Sequence, residues 1–134
     1  MSARSRARKR ALDVLYSSEM RRREASEALA EQVEAGQVND YTATLVRGVA
    51  GHQARIDEVI CTYAKGWTLD RMPAIDRNVL RIGVFEVMYA DDIPDAVAVS
   101  EAINLVAELS TDESPAFVNG VLGNVVRDKQ ELAG

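Results

Sequence analysis

In every long stretch of this chain the apolar residues return every three or four positions, and nowhere do they alternate in the period-two pattern of a half-buried strand. The segment 73–89 shows the constraint most sharply. Ile75, Val79, Leu80, Ile82, Val84, Phe85 and Val87 leave it apolar on more than one side. A helix like that belongs at the centre of a core with other helices around it. Aromatic residues make up 5% of the chain against 47% hydrophobic overall, so packing must run through Ala, Val, Leu and Ile. That suits helix-on-helix contact better than a sandwich of aromatic strands. The reading is all-α, about seven helices in a single domain spanning 1–134.

The remaining helices follow from periodicity and end signals. The first covers about 3–23, with Ala7, Ala11, Val14 and Leu15 on one face and Arg6, Lys9, Arg10 and Asp13 opposite. Arg4 and Arg8 fall on the apolar line, and a cation is not buried unpaired, so the first turns are expected to overhang the core. Tyr16 sits on the rim. A short helix follows, with Ser26 as N-cap, Leu29 and Val33 inward, and Gly36 as stop. Asn39 or Asp40 opens a long stretch that Gly48 and Gly51 bend or split and Gly66 ends. Trp67 and Leu69 are expected to pack inward from a turn, before Pro73 starts the central helix. A helix over 96–109 comes next. The last helix, to about 130, is announced by Ser114 as N-cap and Pro115 just inside.

Charge is uneven. Arg4, Arg6, Arg8, Lys9 and Arg10 crowd the first ten residues without an acid among them, while the rest carries 11 basic against 21 acidic residues. A basic head on an acidic body fits a chain that meets nucleic acid, and equally a solvated helix end with ordinary surface acids. Catalytic chemistry has little to work with. His52 stands alone, and Cys61 has no second Cys or His at ligand spacing, so no metal site is expected and both read as structural. No phosphate-cradling glycine loop or other cofactor motif occurs. The acid pairs Asp57–Glu58 and Asp91–Asp92 read as solvation and capping. One cysteine, no apolar run of membrane length and no signal-like apolar stretch after the basic start point to a cytoplasmic protein that binds and does not catalyse.

Four blocks, in order, carry a resemblance. They are R-S-R-A-R-K-R-A-L-D-V-L-Y (4–16), W-T-L-D-R-M-P-A-I-D-R-N-V-L-R-I-G-V-F-E (67–86), I-P-D-A-V-A-V-S-E-A-I-N-L-V (93–106) and S-P-A-F-V-N-G-V-L (114–122). Together the sequence resembles the NusB family of bacterial transcription antitermination factors over nearly its whole length. The resemblance implies seven helices in two small bundles. It also implies a protein that binds boxA RNA jointly with the ribosomal protein NusE, within an antitermination complex of RNA polymerase that promotes read-through in ribosomal RNA operons. On that basis the RNA-binding residues are expected to be Arg4, Arg6, Arg8, Lys9, Arg10, Tyr16, Phe117 and Asn119, with Asp76 and Arg81 toward the protein partner. Ser5 stands where some family members carry another arginine. For Phe117 core packing is an equal alternative, and for Arg81 an internal salt bridge. Three other readings stay open: a NusB-like module of the kind found in rRNA methyltransferases, a helical DNA-binding regulator, and a dimerisation module without an RNA site. A homodimer that covers the basic helix is also compatible with the sequence.

Overall fold

The computed structural model describes residues 2–36 and 38–133, and among these it is all-helical. The elements are α1 (Ala3–Met20), α2 (Ala25–Glu34), α3 (Asp40–Gly51), α4 (Gln53–Tyr63), a 3-10 turn (Leu69–Arg71), α5 (Ala74–Tyr89), α6 (Asp95–Leu109), α7 (Ser114–Arg127) and α8 (Lys129–Ala133). Helices α1, α2 and α3 pack on one another, and α4, α6 and α7 pack around α5. Helix α5 also touches α1 and α3, so the two bundles share one continuous core.

The all-round apolar character of α5 is used as the periodicity predicts. Val79, Leu80, Ile82, Val84 and Val87 are buried against different neighbours, and Phe85 lies at the edge of the core. Each fully buried Val or Leu contributes about 1.5–3 kcal/mol relative to exposure. Two close approaches need glycine. A Cβ on Gly48 of α3 would lie 2.1 Å from the Phe85 ring, and one on Gly83 of α5 would lie 2.7 Å from Leu122 of α7. Gly48 is therefore a contact point between helices. The break in the 39–63 stretch comes at His52, after Gly51.

Most end signals hold, with exceptions that have physical causes. Asn39 caps α3 by accepting the Thr42 N–H at 2.8 Å. Gly36 and Gly66 adopt positive φ where the chain leaves α2 and turns before Trp67. Ser26 is not a cap, since α2 begins at Ala25 with Glu24 ahead of it. Ser114 is the first residue of α7, with Glu113 at the cap position, and its hydroxyl donates to the carboxylate of buried Asp76 at 2.8 Å. The final stretch divides at Asp128, which yields eight α-helices among the described residues where seven were expected. Trp67 does not pack inward. It is 51% exposed, while Leu69 is half-buried against the core.

Candidate nucleic-acid interface

Helix α1 opens with Ser2 as N-cap, whose hydroxyl oxygen accepts the Ser5 N–H at 3.1 Å. Its inward face of Ala7, Ala11, Leu12, Val14 and Leu15 seats it in the core, and this leaves Arg6 and Arg10 facing solvent. The first turn holds no acid. Cations at a helix N-terminus oppose the macrodipole, at a cost of about 0.3–1 kcal/mol each when exposed. Arg4 and Arg6 are therefore not placed for helix stability. The same geometry has a chemical use, since guanidinium groups and the positive end of a helix reinforce one another toward an anion.

Acids from α5, α6 and the turn between them organise this end. Arg4 pairs with Asp92 at 3.0 Å, and its guanidinium lies 4.8 Å from the centre of the Tyr41 ring. Ser5 donates to Glu101 at 2.5 Å. Lys9 pairs with Glu108 at 2.6 Å, a hydrogen bond that raises its pKa. The Arg4–Asp92 and Lys9–Glu108 pairs are exposed and worth little individually, and a polyanion can compete for them.

Arg8 is different, and the expected overhang is wrong for it. It is 2% exposed, as is proper for its place on the apolar line, and it is buried because it is paired. Its Nε and Nη2 donate to the two oxygens of Glu86, each at 2.9 Å, and Nη1 lies 3.3 Å from Glu101. Glu86, itself 1% exposed, also accepts the Tyr41 hydroxyl. Burial works to strip the Arg8 proton, but the hydrogen bonds and charge of Glu86, backed by Tyr41 and Glu101, more than offset it and hold the pKa above its ordinary value. For Tyr41 burial comes first and the Glu86 hydrogen bond second, and both push the phenol up. Arg8 thus fixes α1 to α5 and aims its neighbours outward.

The other expected residues fall in separate places. Tyr16 is 37% exposed on α1, next to solvent as the rim position implies. Phe117 is half-buried on α7, with its ring centroid 6.1 Å from that of Trp67 in a tilted contact. The two rings line a hollow of about 340 Å³ with Pro73, Thr111 and Glu113. Asn119 is exposed on the same helix. Hydrogen bonds from α1 reach α3, α5, α6 and the α5–α6 turn, while Phe117 and Asn119 sit on α7 as a separate patch.

Asp76 and Arg81 are engaged internally. Asp76 is 3% exposed and accepts the hydroxyls of Ser110 and Ser114. Arg81 is half-buried and bridges Asp57 at 2.8 Å and Glu19 at 3.2 Å, while Arg77 also pairs with Glu19. Asp57 is consequently an ion-pair partner and not the solvating acid its sequence neighbourhood suggests. His52 stacks on Tyr89 with centroids 4.0 Å apart, and Cys61 is exposed, so only the histidine has a packing role. No group of three or more metal-ligating side chains exists among the described residues, and no helix among them is long and apolar enough to cross a membrane.

Sequence reasoning missed Glu86, Glu101 and Tyr41 as the groups that hold the basic helix in place. An acid set within the apolar run V-F-E-V of the central helix was the available signal for Glu86. It also missed a second basic cluster, Arg21 to Arg23, at the far end of α1.

Comparison with known proteins follows the same lines. The NusB family model matches residues 5–127. A transcription antitermination protein NusB from Nocardioides sp. strain JS614 is 66% identical over 99% of this chain and 100% of its own length. Another from Arthrobacter sp. strain FB24 is 54% identical over 98% of each chain. Among solved structures, T. maritima NusB superposes with a TM-score of 0.86 at 29% identity, covering 98% of this chain and 96% of that one. A structure of the antitermination factors NusB and NusE in complex with dsRNA superposes with a TM-score of 0.79 at 28% identity, covering 94% and 98%.

Proposed function

The chain belongs to the NusB family, and from that premise we propose that it is a transcription antitermination factor that binds boxA RNA together with NusE and promotes read-through in ribosomal RNA operons. The observation that carries this reading is the cation-rich first turns of α1, set against the helix dipole and held outward by the buried Arg8–Glu86 pair. The protein acts by binding and not by catalysis, as one domain of two bundles, in the cytoplasm.

Arg4, Arg6, Lys9 and Arg10 supply the phosphate contacts, and Tyr16, Phe117 and Asn119 supply contacts to bases. Arg8 serves as a positioning residue from within. Four phosphate contacts correspond to a log–log salt slope of about −2.8 on single-stranded RNA. So shallow a slope fits a protein that shares its RNA with a partner. NusE docks by complementary potential on the acidic body, where 21 acids face 11 basic residues beyond the first ten positions. Asp76 and Arg81 shape that surface through Ser110, Ser114 and Asp57. A solved relative assembles with NusE and dsRNA, which supports the pairing.

The test is a titration of labelled boxA RNA, single-stranded and as a duplex, with the chain first and the ribosomal protein last. Salt-sensitive binding that tightens when NusE is added is expected. Replacing Arg6 and Arg10 by alanine should make the slope shallower by about 0.7 per arginine. Absence of salt-sensitive binding to either RNA, with and without NusE, overturns the proposal.

A further inference from the structure

The solvent-facing line of α1 does not stop at its N-terminus. Residues three or four positions apart share one face of a helix, and from Arg6 that face runs through Arg10, Asp13 and Ser17 to Arg21. Arg6, Arg10, Asp13 and Arg21 are exposed and Ser17 is half-exposed. Arg22 lies just beyond, also exposed. The acids around this far end are largely committed elsewhere. Glu19 turns inward to Arg77, Arg81 and Asn78, and Glu31 is taken by Arg23 at 2.6 Å. Glu24 and Glu27 bound the cluster on the α2 side. Arg21 and Arg23 line a small hollow beside it with Ser17, Ser18 and Glu31, where the two serine hydroxyls donate to the Val14 carbonyl.

The backbone gives a second, independent observation. Arg22 has φ +56, and it is the one non-glycine residue with positive φ among those described. The turn is a Schellman closure, in which the Arg23 N–H reaches Ser18 O at 2.8 Å and the Arg22 N–H reaches Glu19 O at 3.2 Å. Glycine is the favoured residue at that position, because a side chain with a Cβ is strained there. The helix dipole accounts for a cation such as Arg21 at this end, but it gives no reason to accept the strain at Arg22.

We propose that Arg21 and Arg22 form a second phosphate-binding cluster, so that RNA lies along the full length of α1 and not at its N-terminus alone. From Arg6 to Arg21 the helix rises about 22 Å. At about 3.4 Å per nucleotide of a stacked strand, that spans six to seven nucleotides. The inference rests on the RNA-binding reading above and extends it to the length of RNA held.

The variants Arg21→Ala and Arg22→Gly, singly and combined, test it on the full chain with NusE present. Two single-stranded RNAs serve as probes, one limited to the boxA element and one extended on both sides. The combined variant should bind the extended RNA about fivefold more weakly, with a salt slope shallower by about 1.4, and bind the short RNA as the parent does. Arg22→Gly should keep a melting temperature at or above the parent's, because glycine relieves the strained backbone. Weaker binding therefore cannot be assigned to unfolding. Parental affinity of the combined variant for the extended RNA, alongside weakened binding by Arg6→Ala/Arg10→Ala, overturns this inference and leaves the RNA-binding reading standing. If neither pair alters RNA binding, both fall. If the combined variant instead loses NusE affinity in the absence of RNA, the cluster is a protein contact and the inference is overturned.

Discussion

The buried Arg8–Glu86 pair gives the sharpest test of how this surface is built. Replacing Glu86 with leucine removes both carboxylate oxygens that Arg8 uses at 2.9 Å and the acceptor of the Tyr41 hydroxyl. What remains for a guanidinium that is 2% exposed is Glu101 at 3.3 Å. Breaking a buried pair from one side costs about 3–5 kcal/mol, because the surviving charge stays buried without compensation. With an unfolding entropy of about 2.1 cal/mol/K per residue, a 134-residue chain loses about 3–4 °C of Tm per kcal/mol, so Glu86→Leu should melt about 10–18 °C lower. Arg8→Met alone should fall in the same range. The double variant Arg8→Met/Glu86→Leu should recover part of the loss, since an apolar pair of similar volume carries no buried charge. Urea unfolding followed by far-ultraviolet circular dichroism reads all three, with unchanged m-values expected. RNA titration at a temperature where Arg8→Met is folded should return the parent's salt slope. The reasoning is refuted if Arg8→Met costs under about 0.5 kcal/mol and the slope becomes shallower by about 0.7, because Arg8 would then be a surface cation that contacts phosphate.

Three further outcomes follow from the packing and the titrating groups. Gly48→Ala should destabilise by about 1–2 kcal/mol in the same urea assay, since a Cβ 2.1 Å from the Phe85 ring costs more in overpacking than the roughly 1 kcal/mol of helix propensity it gains. Tyr41 has its pKa raised by burial and then by the Glu86 hydrogen bond, so its contribution is fully present below the unfolded value of 10.0 and is lost as pH rises through the higher folded value. Stability should therefore fall above about pH 10, and Tyr41→Phe should flatten that decline in pH-dependent urea titrations. Asp76→Ala should cost about 1–3 kcal/mol by leaving the Ser110 and Ser114 hydroxyls without their acceptor, and NusE affinity per folded molecule should change little, as a residue that is 3% exposed shapes the surface without touching the partner.

How much of this was legible in the sequence divides along a physical line. Local periodicity determines helices, so the central α5, the Asn39 cap and the break near Gly51 could be read directly. Which charges are paired depends on contacts between distant segments. Arg8 looked like an overhang because its partner Glu86 lies 78 positions away. Arg81 was left between a partner contact and an internal bridge for the same reason, since the Asp57 it bridges lies 24 positions away. Trp67 was read as inward because a large aromatic usually buries, but it rests on Phe117 at the surface. The basic head itself was legible because five cations in ten residues need no tertiary information.

The ties that hold α1 have a consequence during synthesis. Its cations are matched by Glu86, Glu101 and Glu108, which leave the ribosome 78 to 99 residues later. Until α5 and α6 have emerged, α2 and α3 can seat the apolar face of the first helix, but the cations of its first turns lack Glu86, Glu101 and Glu108 and are surrounded by the RNA of the ribosome that makes them. The order of translation thus delays a presentable α1 until most of the chain has been made, and a fragment that stalls before Glu86 would carry the charge of the binding helix without its aim.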